Sequence, residues 1–140
     1  SQGADSKLIL NLLASALPEK NYTILEYNYN IFEMYCMFDV FIHVPIDQEI
    51  EAFGLTYIES LACKVPSIFT LSGIATEFIK NKHNAYVVSY KNADEIYNNI
   101  MEILNNESEA EQIANNGYND VKKYFNIDSK LKTLIELYTK

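Results

Sequence analysis

The segment Phe38-Asp39-Val40-Phe41-Ile42-His43-Val44 constrains the fold more than any other. It is nearly continuous in apolar residues, where a strand wet on one side would alternate. Such a run predicts a strand covered by helices on both faces, the environment of parallel sheets. The segments that follow keep switching period. Phe53 to Cys63 has helical spacing, Ser67 to Thr70 is a short strand, Thr76 to Lys80 a helical turn and Ala85 to Val88 a further strand. Strands alternating with helices imply an α/β fold, a Rossmann-like parallel sheet flanked by helices.

The flanks extend this pattern. Leu8, Ile9, Leu12, Leu13, Ala16 and Leu17 recur at helical spacing and stop at Pro18. Tyr22 to Tyr27 is β-branched and aromatic and predicts a strand, closed by a turn at Asn28-Tyr29-Asn30. Asn30 and Glu33 have capping-box spacing for a short helix through Phe38. Asn92 with Glu95 and Ser108 with Glu111 repeat that spacing at the start of two more helices. Ile96, Ile100 and Leu104 line the first, and Ile113, Gly117, Val121 and Tyr124 the second. A last helix presents Leu131, Leu134, Ile135 and Tyr138. At 140 residues and 49% hydrophobic content the chain can bury one sizeable core. Residues 1–140 therefore read as one domain, with no repeat, linker or low-complexity tract.

Charge narrows the function. The net charge is −8, and all eleven basic residues are Lys. A nucleic-acid partner needs a basic face, so that class is excluded. The missing Arg also removes the bidentate guanidinium that commonly clamps a diphosphate. No charged leader precedes an apolar stretch, and no apolar run approaches about 18 residues, so neither a signal peptide nor a membrane span is expected. Cys36 and Cys63 lie inside apolar helical patterns and suit a reducing cytoplasm better than a disulfide framework.

The chemistry-bearing string is Glu51-Ala52-Phe53-Gly54-Leu55-Thr56-Tyr57-Ile58-Glu59-Ser60-Leu61-Ala62, with Val65-Pro66 behind it. Two carboxylates eight positions apart bracket the predicted start of a helix, a rise of about 12 Å. That is roughly the reach from a sugar across a diphosphate to a ribose. The string resembles the signature of retaining glycosyltransferases of family 4, which have the GT-B fold: Glu, seven residues, Glu, then Ala-x-Ala-x-Gly-x-Pro. Asp39-Val40-Phe41-Ile42 is similar to the strand before that signature, and Ser67-Ile68-Phe69-Thr70 to the strand after it. Ser72-Gly73-Ile74-Ala75-Thr76-Glu77 resembles the following Gly-Gly-x-x-Glu loop, and Asn84-Ala85-Tyr86-Val87-Val88 the Asn-Gly-x-x-Val strand. The likeness runs from about Gly3 to the end.

The resemblance implies the donor-binding C-terminal half of such an enzyme, without the strand, helix and strand that normally open it. Glu51 then meets the transferred sugar near its anomeric centre, and Glu59 accepts hydrogen bonds from both ribose hydroxyls. Gly54 lets amides approach phosphate or sugar while Phe53 packs; Thr56 adds a hydroxyl, and Ser72, Gly73 and Glu77 form the second loop of the pocket. Tyr27, Asn28 and Tyr29 fall near the nucleotide base. On pattern alone each has a plainer reading: a carboxylate beside a helix N-terminus for Glu51 and Glu77, an exposed helical Glu for Glu59, a plain helical Thr for Thr56, an ordinary turn for Ser72-Gly73 and a surface turn for residues 27–29.

The implied partners are a nucleoside-diphosphate sugar and, through the other half of the enzyme, a glycan or lipid-linked acceptor. Peripheral membrane association of the whole enzyme also fits. Neither a cofactor nor a metal is expected; Asp47, Glu49 and Glu51 recur at period two in a polar loop, and His43 near a strand end reads as structural. Three departures stand out. The loop from Asp39 to Glu51 is longer than usual, Lys64 replaces a Gly and so predicts a different helix ending, and Ser72 and Ala85 replace glycines. The rival reading is a non-catalytic α/β interaction module that completes its sheet with a partner chain. A nucleotide-sugar epimerase ranks below both, for want of placed acid and base groups. The chain alone is expected to bind donor weakly and to turn over nothing measurable.

Overall fold

The computed structural model describes residues 6–25 and 30–139. Helix α1 covers Ser6–Ala16 and is followed by a 3-10 turn, Glu19–Asn21. Then come α2 (Ile31–Tyr35), β1 (Phe41–His43), α3 (Leu55–Ala62), β2 (Ser67–Phe69), α4 (Ala75–Phe78) and β3 (Tyr86–Val87). Helices α5 (Ala93–Asn105), α6 (Glu107–Tyr124) and α7 (Ile127–Tyr138) complete the order. The strands form one parallel sheet in the order β1-β2-β3. Phe41, Ile42 and His43 sit opposite Ser67, Ile68 and Phe69, and Ile68 and Phe69 opposite Tyr86 and Val87. The fold is the expected α/β, Rossmann-like arrangement.

Period two in the strands divides the core between the two faces of the sheet. Phe69 joins Tyr57, Leu61, Ala75, Phe78, Ala85 and Val121 on one face. Its neighbour Ile68 joins Tyr86, Val88, Ile103, Ala110 and Ile113 on the other. Burial on both faces, expected of 38–44, is the property of β2, every residue of which is buried. In β1, by contrast, Ile42 is 38% exposed. The reason is position: β2 is central, and β1 is the edge of the described sheet.

Several other expectations shift. Residues 22–25 form no strand; the rest of that predicted strand, with Tyr27, Asn28 and Tyr29, lies outside the described residues. A strand needs a pairing partner, and none of the described strands pairs with this segment. Helix α2 stops at Tyr35 rather than Phe38. Helix α6 opens at Asn106, whose side-chain amide donates to Glu109 at 2.6 Å, so Ser108 is already inside the helix. Asn92 does cap α5, accepting from the backbone of Glu95 at 3.1 Å. On α5 the deepest residue is Ile103, while Leu104 and, on α6, Tyr124 are exposed.

Helix α3 also ends differently from expectation. Lys64 adopts the left-handed region at φ 57, the conformation glycine would supply. Its N–H bonds to the carbonyl of Leu61 at 3.0 Å, and the N–H of Val65 to that of Ser60 at 3.2 Å. Those two bonds make a Schellman ending. The Lys64 ammonium lies 4.8 Å from the centre of the Tyr118 ring, an attraction that offsets part of the backbone cost.

Candidate functional site

In open α/β sheets ligands bind beyond the carboxyl ends of the strands. Here that end is built by two loops, residues 44–54 between β1 and α3 and residues 70–74 between β2 and α4. They are stitched together. The hydroxyl of Thr70 donates to the carbonyl of Pro45 at 2.6 Å, and the N–H of Ile74 to that of Phe53 at 2.9 Å. The buried hydroxyl of Ser72 accepts from the N–H of Glu51 at 3.0 Å and donates to the carbonyl of Gln48 at 2.9 Å.

Glycine is required at both crossings. Gly54 has φ +85, and a Cβ there would lie 2.7 Å from the Tyr57 ring. Gly73 has φ +53, and a Cβ there would stand 2.7 Å from the carbonyl oxygen of Phe53 and 3.0 Å from that of Glu51. Both backbones adopt the region that disfavours side chains. Because Gly54 cannot continue a helix in that conformation, α3 begins at Leu55, and only its second half of the Glu51–Glu59 interval is helical. No side chain caps this end of α3, so its first amides are left for water or a ligand, with the positive end of the helix behind them.

The two carboxylates are held by different means. Oε1 of Glu51 lies 3.1 Å from Nε2 of His43, the last residue of β1. The His43 ring meets the Tyr57 ring edge-on at 4.8 Å. Tyr57 in turn donates its hydroxyl to the carbonyl of Thr70 at 2.9 Å. Burial first, and then the charge of Glu51, pushes the Tyr57 hydroxyl up to about 12. Glu59 accepts a hydrogen bond from the hydroxyl of Tyr35 at 3.3 Å. Burial, and then the Glu59 charge, pushes the Tyr35 hydroxyl to about 12 as well. Both tyrosines therefore stay protonated donors at neutral pH.

The remaining predicted positions divide. Thr56 is half-buried in the first turn of α3. Phe53 packs edge-on against Phe125 at 6.4 Å. Together with exposed Glu77 it lines a cleft of about 660 Å³ that also takes in Phe78, Lys80, His83, Lys123 and Lys130. Glu51 and Glu59 do not line it. Phe53 and Glu77 thus come together, but on a different wall from the two glutamates. Asp47 accepts from the backbone of Glu49 at 2.9 Å within its own loop. Among the described residues no group of three or more His, Cys, Asp or Glu is placed to hold a metal ion. Sequence reasoning missed Tyr35 and the partnership of His43 with Glu51. No local motif marks either; both arise from contacts between separate elements.

The sequence identifies the family. The model for "Glycosyl transferases group 1" fits residues 2–120, and the chain belongs to that family. An uncharacterized glycosyltransferase of Methanocaldococcus jannaschii is 30% identical over 74 residues, which cover 53% of this chain and 21% of that protein. A glycosyltransferase from Rickettsia africae is 26% identical and superimposes with a TM-score of 0.83 over 95% of this chain and 35% of its own. HepE of Anabaena, solved in complex with UDP-glucose, shares the fold at a TM-score of 0.85 with 18% identity, over 95% of this chain and 36% of its own. The chain therefore spans about a fifth to a third of these relatives. Its fold is that of a GT-B C-terminal domain. No described helix is long and apolar enough to cross a membrane.

Proposed function

We propose that this chain is the donor-binding half of a retaining glycosyltransferase of family 4, one that moves a hexose-like sugar from a nucleoside diphosphate to a glycan or lipid-linked acceptor. The observation that carries the reading is the pair Glu51, in the loop that leads into α3, and Glu59, inside α3, with the uncapped, glycine-opened start of the helix between them. Glu59 keeps carboxylate lone pairs beyond the one taken by Tyr35, enough to accept both hydroxyls of a ribose. The diphosphate lies against the first amides of α3. Glu51, oriented by His43, faces the sugar, where positive charge develops as the glycosidic bond breaks. The leaving diphosphate is stabilised by these amides and by basic groups outside this chain, with no metal in the step. Ser72 and Gly73 act by holding the second loop against the first. Thr56 adds a hydroxyl from the first turn of α3, and Glu77 contributes from the neighbouring cleft that it shares with Phe53. The whole enzyme works in the cytoplasm, in peripheral association with the membrane. Because HepE was solved with UDP-glucose, UDP is the first nucleotide to try.

Isothermal titration with UDP, GDP and ADP tests this reading. One nucleotide is expected to bind, and Glu59→Ala to weaken it by roughly 1–3 kcal/mol, the scale of a lost charged hydrogen bond. A nucleotide whose affinity ignores Glu59 would overturn the ribose assignment. Transfer needs both halves, so easily detected turnover by this chain alone would overturn the division of labour.

Two observations favour the second reading, a non-catalytic module that docks on a partner. Helices α1 and α7 carry no buried residue, and β1 is an edge among the described strands. If adding the remainder of a glycosyltransferase restores no nucleotide binding, that reading prevails.

A further inference from the structure

Helices α2 and α3 are joined at two points, and only one belongs to the site described. The first is the Tyr35–Glu59 hydrogen bond. The second lies three residues earlier on α2, at the carbonyl oxygen of Phe32. That oxygen accepts the backbone N–H of Cys36 at 3.1 Å, and the thiol of Cys63 approaches it at 3.9 Å. Cys36 follows the last residue of α2 and Cys63 that of α3, so the thiol of Cys63 and the backbone of Cys36 meet at one oxygen although they lie far apart in sequence. Cys36 is also an electrostatic neighbour of Cys63. Cys36 is exposed and Cys63 half-buried.

We propose that Cys36 and Cys63 are a reversible disulfide site, a thiol pair that small-molecule disulfides oxidise into a covalent tie between α2 and α3. The exposed Cys36 reacts first. Its thiolate attacks one sulfur of the oxidant RS–SR, forming a Cys36–SR mixed disulfide and releasing RS⁻. The Cys63 thiolate then attacks the Cys36 sulfur, closing the Cys36–Cys63 bond and expelling the second RS⁻. The two protons leave to solvent or to the released thiolates. One external disulfide is reduced and two protein thiols are oxidised. Burial, together with its neighbour Cys36, pushes the Cys63 thiol up to about 11. At neutral pH it is therefore the less reactive of the two thiols, which leaves the first attack to Cys36. The tie would join the same two helices that place Tyr35 against Glu59, one position away on α2.

Oxidised glutathione added to the whole chain tests this, with quenching by alkylation in denaturant and thiols counted by mass. The expected product is a monomer that has lost both alkylatable thiols, carries no glutathione and regains both thiols on reduction. Cys36→Ser and Cys63→Ser should each stop short of closure. Cys63→Ser should accumulate the mixed disulfide at Cys36, and Cys36→Ser should react several-fold more slowly. Accumulation of glutathionylated wild-type chain without closure would overturn the proposal. So would disulfide-linked dimers as the main product.

Discussion

Helices α6 and α7 follow one another in the chain and carry comparable apolar patterns, yet they end in opposite environments. Helix α6 buries Ala110, Ile113, Ala114, Gly117 and Val121. Helix α7 buries nothing; Leu134 is 48% exposed and Ile135 60%. What separates them is the surface opposite. Helix α6 lies so close to α3 and to the turn before β3 that a Cβ on Gly117 would stand 2.7 Å from both a Leu61 methyl and the carbonyl oxygen of Asn84. No described element offers α7 a comparable surface. Helical periodicity marks a face that can be buried, and only a complementary neighbour buries it.

The largest expected effect lies on the α6 side. Leu61 is fully buried where α3 meets α6, and Leu61→Ala should cost about 2–5 kcal/mol in urea unfolding, the range for such cavities. Gly117→Ala is the sharper probe, because the obstacle includes backbone; a loss of about 1–3 kcal/mol is expected from overpacking. If it unfolds at the wild-type urea concentration, the close approach of α6 is wrong.

An alkaline titration compares the core with the outside in another way. The Tyr35 and Tyr57 hydroxyls are raised from 10 to about 12. The native state therefore holds these protons where the unfolded chain releases them. The stability they favour is complete below pH 10 and is lost as pH rises from 10 through about 12. Tyr57→Phe should flatten that decline when stability is followed against pH.

Two smaller effects complete the series. Lys64→Gly should raise stability by about 0.5–1 kcal/mol, since relief of the left-handed backbone exceeds the lost contact with Tyr118. Leu134→Ala on α7 should change stability by less than about 0.5 kcal/mol. A cost like that of Leu61→Ala would show α7 packed in solution and erase the contrast with α6.

Much of the fold was legible because its signals are local. Period two and helical spacing located the three strands and the helices around them, and Asn92 with Glu95 marked a cap that forms. The errors share a cause. Residues 22–25 have strand composition, but a strand exists only when paired. Ser108 has capping spacing, but Asn106 precedes it and captures the helix start. Lys64 should avoid the left-handed region, yet α3 must end there for Val65 and Pro66 to lead into β2, and tertiary position overrides preference.

The site divides along the same line. Glu51 and Glu59 could be singled out from their spacing and neighbours, and Gly54 from the turn it opens. Their supports could not. His43 and Glu51 are paired by the return of the 44–54 loop over the end of β1, and Tyr35 reaches Glu59 because α2 packs on α3.

By itself the sequence determined the three strands and most of the helices, which family the residues resemble and which carboxylates are candidates for chemistry, because backbone period and side-chain type act over a few residues. Tertiary structure alone decided which apolar faces find cover, which carboxylates are tethered and by what, and which helix ends bring Cys36 and Cys63 to the same carbonyl. Those depend on contacts between segments far apart in the chain, where packing density and hydrogen-bond satisfaction, rather than local preference, select the partner.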